Sequence, residues 1–312
     1  SLAKDRIILV GDHRQLPHIV DDSITKAIEE KYSDSNNVSI TEKIEENIKT
    51  SMFEYLFKTI KKLENSDGIK RTITLDKQYR THPILGDFVS KNFYEKHGET
   101  YIESGLKASD FSHNIPGLEN VACVFYDVNS SHGFEKSGLS KSRKIEAKKI
   151  AEHLKSLIDL KETKNLNFGI ITFYREQVNQ IYEELEKVGI SLKNEDGSYG
   201  LKPEYERVTI QNKVIEKLRI GTVDAFQGME FDVVYLSMVR SNDLPAQSEK
   251  ARQRKFGFLM VENRLCVSMS RQKKMLIVVG DSNMLCCSEA KNSVGPLVDF
   301  YNMCKGDERY GK

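Results

Sequence analysis

TVDAFQGMEFDVVYLSMVR, residues 222–240, is the stretch that decides the fold of this chain. Its second half contains the apolar run DVVYLSMV (232–239), which has the length and composition of a buried β-strand. Similar runs recur along the chain and alternate with amphipathic segments of helical length. That alternation predicts an α/β fold in which a mainly parallel sheet is flanked by helices.

Other apolar runs predict the remaining strands of the sheet. They are IILV (7–10), TITL (72–75), ACVFYDV (122–128), FGIIT (168–172), RIGT (219–222) and MLIVVG (275–280). Helices are predicted over residues 142–158, 176–190 and 262–274. In the first of these the apolar side chains recur at near-helical spacing: Ile145, Ile150, Leu154 and Ile158.

The composition is that of a globular protein with a polar surface. The chain has 312 residues, of which 30% are charged, and its formal net charge is +1. This length suits one large or two medium-sized domains. Because the overall charge gives little attraction to nucleic acid, any such surface must come from local clustering. No apolar run approaches the ~20 residues of a membrane helix, so a membrane partner is not expected.

The cysteines indicate a reducing environment. There are 5 of them, and no two form a CxxC pair. An odd number without metal-binding spacing is typical of reduced thiols in a cytoplasmic protein and not of a disulfide or zinc framework. The sequence therefore predicts a cytoplasmic location and no metal site.

Two charged segments interrupt the alternating pattern. Residues 21–70 are rich in charge around DSNN (34–37), and we expect them to be helical at either end. Residues 241–255 look irregular and end in a basic cluster, which is either a solvated loop or a contact to nucleic-acid phosphates. The cluster consists of Lys250, Arg252, Arg254 and Lys255.

A second diagnostic stretch is IILVGDHRQLP, residues 7–17. Ligands of open parallel sheets bind beyond the carboxyl ends of the strands, and Gln15 closely follows the predicted strand 7–10. An amide there can accept a hydrogen bond from water and donate one to a phosphate oxygen, as positioning residues do in phosphoryl transfer. By itself, the stretch is also compatible with a simple strand-to-helix turn.

Three more stretches give GDHRQLP its context: DKQYRTHP (76–83), TVDAFQGMEFDVVYLSMVR (222–240) and RLCVSMSRQKK (264–274). In order and spacing, the four resemble the later motifs of superfamily 1 nucleic-acid helicases. The resemblance is closest to the branch that contains the nonsense-mediated-decay helicase and senataxin. YREQVNQI (174–181), which follows a predicted strand, is similar to a further motif of that branch.

The resemblance implies a RecA-like fold of the P-loop NTPase type. It divides the chain into residues 1–25, the C-terminal remnant of a first RecA-like domain, residues 26–70, a mostly helical linker, and residues 71–312, the second RecA-like domain. The implied activity is ATP-dependent movement along single-stranded DNA or RNA. ATP would bind between the two RecA-like domains.

By the same resemblance, the implied catalytic residues are Gln15, Arg80 and Arg271. A planar guanidinium can make two bonds to phosphate oxygens, and an arginine finger stabilises charge on the transferred phosphoryl group. The alternative for each arginine is an ordinary ion pair. A catalytic role predicts that Arg271 has no partner to hold while ATP is absent.

Four residues are implied contacts of the nucleotide. Tyr79 offers a flat ring to adenine, Gly228 lets the backbone approach closely, and Glu230 can accept hydrogen bonds from ribose hydroxyls. Gln227 helps to link the nucleotide to the nucleic acid. For Tyr79, the alternative is a core tyrosine.

Tyr174 and Thr222 are implied contacts of the single strand. An aromatic ring suits a base, and a hydroxyl suits a phosphate oxygen. The motifs meet the backbone more than the base edges, so they do not distinguish DNA from RNA.

Two motifs of such a motor are absent: a GxxxxGK[ST] loop, and a Mg²⁺-binding Asp-Glu pair shortly before GDxxQLP. The expectation is therefore the C-terminal part of a longer helicase that uses ATP and Mg²⁺, with the missing N-terminal RecA-like domain as its partner. The isolated chain is expected to be inactive. Two alternatives stay open: a non-catalytic nucleic-acid-binding or regulatory module, and part of a helicase–nuclease fusion.

Overall fold

The computed structural model describes residues 4, 6–16, 50–138, 140–210, 212–306 and 311–312. The chain falls into two compact units, Ser1–Leu75 and Asp76–Lys312. Residues 17–49, which include much of the predicted remnant and linker, lie outside the described residues. The assignment of residues 1–25 and 26–70 to those two roles stays a prediction.

The first unit contains helix α1 (Met52–Asp67). The Ser51 hydroxyl caps its start by accepting a hydrogen bond from the Glu54 backbone nitrogen at 3.1 Å. Gly68 ends it in the left-handed conformation, with φ of 72°, and donates to the Glu64 carbonyl. None of the residues of α1 is buried, so these local bonds, and not a core, define the helix.

The strands predicted at residues 7–10 and 72–75 are wrong, since both stretches lack regular structure. Residues 7–10 are exposed, from 50% for Leu9 to 85% for Ile8. An apolar run favours a strand, but a strand forms only where a neighbour satisfies its N–H and C=O groups. Within the described part of the chain, neither stretch has such a neighbour.

The second unit is built around one parallel sheet. The strands of the unit are β1 (Lys77–Gln78), β2 (Glu103–Ser104), β3 (Cys123–Asp127), β4 (Phe168–Thr172), β5 (Ser191–Lys193), β6 (Tyr199–Leu201), β7 (Arg207–Ile210), β8 (Lys213–Glu216), β9 (Leu218–Thr222), β10 (Phe231–Ser237) and β11 (Gln272–Gly280). Six of them form three two-stranded sheets outside the central sheet: β1 with β2, β5 with β6, and β7 with β8. The central sheet has the order β3-β11-β10-β4-β9, and each neighbouring pair is parallel. The predicted α/β fold with a parallel sheet is confirmed.

Helices flank this sheet. They are α2 (Pro83–Val89), α3 (Lys144–Ile158), α4 (Arg175–Lys187), α5 (Pro203–Glu206), α6 (Glu249–Phe256), α7 (Glu262–Ser268), α8 (Asn283–Cys286) and α9 (Ala290–Gly306). The helix predicted at 262–274 is too long, because Gln272 already pairs with Phe231 as part of the sheet. No described helix is both long and apolar enough to cross a membrane.

The middle strand of the sheet is β10, and all of its residues are buried. It pairs with β11 on one side and with β4 on the other, so both ladders satisfy its backbone. A strand buried on both faces is a continuous apolar run and not an alternation. This is why DVVYLSMV predicted it correctly.

A buried ion pair ties α3 to the carboxyl end of β10. Arg143 Nη1 lies 3.2 Å from Glu146 Oε1, and both side chains are at most 1% exposed. Glu146 Oε2 accepts hydrogen bonds from the Ser237 hydroxyl at 2.7 Å and from the Val239 backbone nitrogen at 2.8 Å. Burial raises the pKa of Glu146, and the Arg143 cation opposes that rise. The strand end and the helix are thereby held together by polar bonds inside the core.

The segment predicted as an irregular loop at 241–255 contains a helix. Helix α6 carries the basic cluster, and the Ser248 hydroxyl caps it by accepting from the Ala251 nitrogen at 3.2 Å. Lys255 Nζ donates to the Leu244 carbonyl at 2.9 Å. One member of the basic cluster is thus tied to the neighbouring backbone.

Candidate functional site

Three charged side chains meet at the amino ends of β10 and β11. Arg80 Nε lies 2.9 Å from Glu230 Oε2, and Lys273 Nζ lies 3.4 Å from Glu230 Oε1. Glu230 directly precedes β10, Lys273 is the second residue of β11, and Arg80 lies on the link that follows β1. We call these three residues the Arg80 cluster. Their side chains are 32% to 45% exposed.

The Arg80 cluster has an excess of positive charge. Two cations share the single carboxylate of Glu230. Ion pairs this exposed are worth only about 0–1 kcal/mol in water. An anion with several oxygens can therefore replace Glu230 as the partner of Arg80 or Lys273 at little cost.

Gln78 fixes the backbone that carries Arg80. Its Oε1 accepts hydrogen bonds from the backbone nitrogens of Arg80 and Thr81, both at 2.9 Å. Its Nε2 donates to the Thr81 carbonyl at 2.9 Å and to the Ser104 hydroxyl at 2.6 Å. Gln78 is not among the residues predicted from the sequence, although DKQYRTHP places its amide directly before the Tyr-Arg pair.

The same link is docked against β11. The His82 backbone nitrogen donates to the Lys273 carbonyl at 2.8 Å. The His82 ring is buried and caps α2 by accepting from the Ile84 nitrogen at 3.3 Å. Burial lowers the pKa of His82 to about 4, with a smaller contribution from the charge of His113. These bonds keep Arg80 beside Lys273.

The ring of Tyr79 lies on the backbone of Gly105. A Cβ added to Gly105 would collide with that ring, so the close contact requires glycine. Tyr79 is nevertheless 62% exposed. One face of the ring is therefore covered by backbone, and the side chain still offers aromatic surface to solvent. This placement is against the alternative of a core tyrosine.

The loop before β10 exposes three of the predicted nucleotide contacts. Gly228 has φ of 79°, a conformation that favours glycine, and a Cβ there would meet no other atom within 4 Å. The Met229 nitrogen donates to the Phe226 carbonyl at 3.1 Å, which closes a turn. Gln227 and Gly228 are exposed at the tip of this turn, and Glu230 follows it.

Arg271 is buried, with 1% exposure, and lies on the link between α7 and β11 and not on the helix itself. Its Nε donates to the Val267 carbonyl at 3.1 Å, and its Nη2 donates to the Ser270 hydroxyl at 2.7 Å. Its Nη1 lies 3.5 Å from the Met229 carbonyl oxygen, directly before Glu230. The expectation that Arg271 has no partner in the absence of ATP is therefore wrong.

Tyr174 and Thr222 lie at the opposite end of the sheet from the Arg80 cluster. Thr222 ends β9 and is half-buried. Tyr174 is 5% exposed, and its ring centroid lies 5.2 Å from that of Phe258. Its hydroxyl accepts from Arg240 Nη1 at 3.4 Å and from the Phe258 nitrogen at 3.3 Å. Stacking of Tyr174 on a base would require the ring to leave Phe258.

Gln15 belongs to the first unit, and its side chain stabilises a local turn. Gln15 Nε2 donates to Asp12 Oδ2 at 2.8 Å, and the Arg14 nitrogen donates to Asp12 Oδ1 at 2.9 Å. This is the behaviour expected of an Asp that holds a turn. The catalytic role of Gln15 stays a prediction.

No metal centre is found in the part of the chain that the structure describes. There, no group of three or more His, Cys, Asp or Glu side chains is arranged to hold an ion. What the described residues do offer is an exposed cluster of cations beside an exposed ring and a glycine turn.

Comparisons with known proteins agree with the sequence resemblance. A family model described as "AAA domain" matches residues 48–283. "Regulator of nonsense transcripts 1 homolog" of Neurospora crassa is 27% identical over 288 residues, which cover 91% of this chain and 21% of that protein. "ATP-dependent helicase NAM7" of Saccharomyces cerevisiae is 27% identical over 283 residues, covering 90% and 23%.

"DNA polymerase alpha-associated DNA helicase A" of Saccharomyces cerevisiae is 25% identical over 299 residues, which cover 90% of this chain and 35% of that protein. The chain thus spans between about a fifth and about a third of the length of these relatives.

Proposed function

Since this chain belongs to the AAA domain family, among superfamily 1 helicases of the nonsense-mediated-decay type, we propose that it supplies the second RecA-like domain of an ATP-driven motor on single-stranded nucleic acid. Its relatives are named as helicases and as regulators of nonsense transcripts. Movement along a strand and the unwinding of duplexes would be properties of the longer protein.

The observation that carries this proposal is the Arg80 cluster. The residues present fit a nucleoside triphosphate: a ring for the base, a carboxylate for ribose hydroxyls, and two cations for phosphate oxygens. Tyr79, Glu230, Arg80 and Lys273 supply these groups, and all four are at least partly exposed. A neutral ligand would leave the two cations without a role, and an anion without an aromatic ring would leave the exposed ring of Tyr79 without one.

Bound ATP supplies the phosphoryl group whose transfer to water releases energy for movement. In this proposal Arg80 exchanges the Glu230 carboxylate for phosphate oxygens, and the released carboxylate accepts hydrogen bonds from the ribose. The exchange costs little because the pair is exposed. Gln78 holds the Arg80 backbone in place during the exchange.

Arg271 would act from inside the domain. Its bonds to Val267 and Ser270 hold the guanidinium, while the 3.5 Å contact to the Met229 carbonyl is the longest of the three. We propose that Arg271 gives up this long contact to stabilise charge on the phosphoryl group. By the same family resemblance, Gln15 would orient the attacking water.

The phosphate loop and the Mg²⁺ ligands would come from outside this chain. The 312 residues contain no GxxxxGK[ST] loop, and no metal site is found among those that are described. We therefore propose that a first RecA-like domain of the same protein supplies both. The chain by itself would hydrolyse no ATP, because the main stabilisers of phosphoryl transfer are missing.

The single strand, DNA or RNA, would bind at the carboxyl ends of the sheet strands, near Thr222. This end is separated from the Arg80 cluster by the length of the sheet. The cytoplasmic location expected from the free cysteines belongs to the same proposal.

The test uses the full-length protein with and without Arg80→Ala. We expect wild-type ATP hydrolysis to be stimulated by oligouridylate or oligothymidylate, and Arg80→Ala to lower kcat on the order of 10³-fold. The matched control is Lys77→Ala, which removes another exposed cation, one that pairs with Glu103 at 3.7 Å. Equal activity of the Arg80 and Lys77 variants would overturn the proposed role of the cluster.

A further inference from the structure

A polar pocket lies on the same unit and shares no residue with the Arg80 cluster. Its volume is about 510 Å³, within the usual range of ligand pockets. It is bordered by the start of α4, by the β5–β6 hairpin and by Lys136 and Ser142. We call it the hairpin pocket.

Three cations line the hairpin pocket: Lys136, Arg175 and Lys193. Among the residues that the structure describes, neither the Arg175 side chain nor the Lys136 side chain makes an ion pair with another side chain. Lys193 Nζ lies 5.6 Å from the centroid of the Tyr199 ring. Two exposed cations without an ion-pair partner among the described side chains, together in one concave site, favour an anionic group as ligand.

Two aromatic rings form part of the wall. The Tyr182 and Tyr199 centroids lie 6.2 Å apart, and their planes differ by 14°. Tyr182 is half-buried, and burial raises its pKa. Such rings offer a flat surface on which a nucleobase can stack, whatever its identity.

The carboxylates of Glu176 and Glu183 also line the pocket and disfavour highly anionic ligands. Glu183 Oε2 accepts a hydrogen bond from Gln180 Nε2 at 2.8 Å, and Glu176 lies close to Asn179 on the same wall. These carboxylates would repel a ligand with many negative charges, such as an acidic peptide. A ligand with one phosphate and a hydrogen-bonding heterocycle suits all three kinds of group. Its phosphate can bind the cations, and its heterocycle can stack on a ring and donate hydrogen bonds to the carboxylates.

The pocket lies near the end of the sheet where the single-stranded nucleic acid is proposed to bind. Helix α4 starts just after β4, and β4 pairs with β9 so that Thr172 lies beside Thr222 at the carboxyl ends. We propose that the hairpin pocket holds a single nucleotide of the bound strand, with its phosphate on Arg175 and Lys136 and its base against Tyr199. This inference rests on the proposed binding of single-stranded nucleic acid.

The first experiment is a fluorescence-anisotropy titration of the 312-residue chain with labelled 12-nucleotide oligouridylate and oligothymidylate at several salt concentrations. Arg175→Gln should weaken binding and lower the salt slope by about 0.7, the value for one lost phosphate contact on a single strand. Tyr199→Ala should weaken binding at least about fivefold. The control is Lys148→Gln, which removes an exposed cation paired with Glu152 on α3 and should leave both values unchanged.

The second experiment tests whether the pocket binds a free mononucleotide in the absence of an oligonucleotide. Saturation-transfer difference NMR with uridine 5′-monophosphate should show transfer to the ligand in wild type and a loss of transfer in Arg175→Gln, with circular dichroism confirming that each variant is folded. If oligonucleotides bind and both pocket variants behave like wild type, the pocket inference is overturned and the proposed function stands. If the mononucleotide binds in the pocket and no oligonucleotide binds, strand binding fails, and with it the inference that the pocket holds a nucleotide of the strand. If neither ligand binds, both proposals fail.

Discussion

Gln78 Oε1 accepts a hydrogen bond from the backbone nitrogen of Arg80 at 2.9 Å, so a neutral amide fixes the backbone of the cation that follows two residues later. The guanidinium of Arg80 is half-exposed, but the backbone that carries it is held by bonds to a single side chain. This arrangement makes the geometry of the Arg80 cluster depend on Gln78, whose described side-chain hydrogen bonds go to Arg80, Thr81 and Ser104 and not to Glu230 or Lys273.

Gln78→Ala should therefore damage both stability and turnover. It removes four hydrogen bonds in a half-buried setting, each worth about 0.5–1.5 kcal/mol net, so we expect the unfolding free energy to fall by about 2–6 kcal/mol. In the full-length protein, kcat should fall while the pH profile keeps its shape. Chemical denaturation and steady-state kinetics measure the two effects. Gln253→Ala, at an exposed position of α6, is the control, and an equal effect there would contradict the positioning role.

Arg271→Lys should lower the stability of the 312-residue chain. Lysine cannot reproduce the bonds that the planar guanidinium makes to Val267 and Ser270, and hydrogen bonds of charged groups are worth about 1.5–3 kcal/mol each. We expect a lower melting temperature here, together with a large loss of kcat in the full-length protein. Arg219→Lys, whose partner Glu216 is exposed, should change stability by less than about 1 kcal/mol. Normal turnover of Arg271→Lys would leave that residue a structural role alone.

In the full-length protein, Gly105→Ala should raise the KM for ATP more than it lowers kcat. The added methyl group collides with the ring of Tyr79 and must push it away from its place on the backbone. Because Tyr79 is 62% exposed, little core packing is lost and the melting temperature should change little. Gly306→Ala is the control, since a Cβ there meets nothing within 4 Å. An unchanged KM in the Gly105 variant would remove the Tyr79 ring from the nucleotide site.

His153 should make the protein less stable in acid. Its ring bonds to the Tyr126 and Tyr235 hydroxyls, and burial, with a smaller effect of Lys149, lowers its pKa from 6.5 to about 4. Between pH 6.5 and about pH 4, His153 is therefore largely protonated in the unfolded chain and largely neutral in the folded chain. The unfolding free energy thus falls as the pH drops from 6.5 to 4.

The slope from one such histidine reaches at most about 1.4 kcal/mol per pH unit. His153→Gln should remove its share of the slope, whereas the share of His82, whose pKa is also lowered to about 4, should persist. Denaturant titrations at a series of pH values measure both. The exposed His132→Gln is the control, and a His153→Gln curve that overlays that of wild type would show that this ring does not drive the acid sensitivity.

The parallel sheet was predictable from the sequence because its strands carry their own signal. A buried strand with a neighbour on each side must be apolar along its length, and the runs at 168–172, 232–239 and 275–280 satisfied that condition. The runs at 7–10 and 72–75 have the same composition and no paired neighbour within the described residues. Composition does not encode whether a partner strand is present, so these two predictions failed.

The sequence identified the charged residues of the candidate site, but it did not predict most of the contacts that these residues make. Arg80 and Glu230 are distant in the sequence and form an ion pair in the structure, the alternative that the sequence left open for Arg80. Their shared place at one nucleotide stays a prediction. The burial of Arg271 could not be foreseen, because it depends largely on backbone carbonyls, and every residue has one. The cover over Tyr174 was missed for a related reason: Phe258 and Arg240 reach it from other parts of the chain.

The middle strand β10 has a mechanical consequence. It starts immediately after Glu230 and ends at Ser237, whose hydroxyl is bonded both to Glu146 and to Gln177 of α4. A strand clamped by two ladders and buried throughout is a stiff rod about 23 Å long. A displacement of Glu230 would therefore be transmitted along the strand toward Ser237, close to where α4 begins. In the proposed function, β10 thus connects the nucleotide site at Glu230 with the nucleic-acid site at the other end of the sheet.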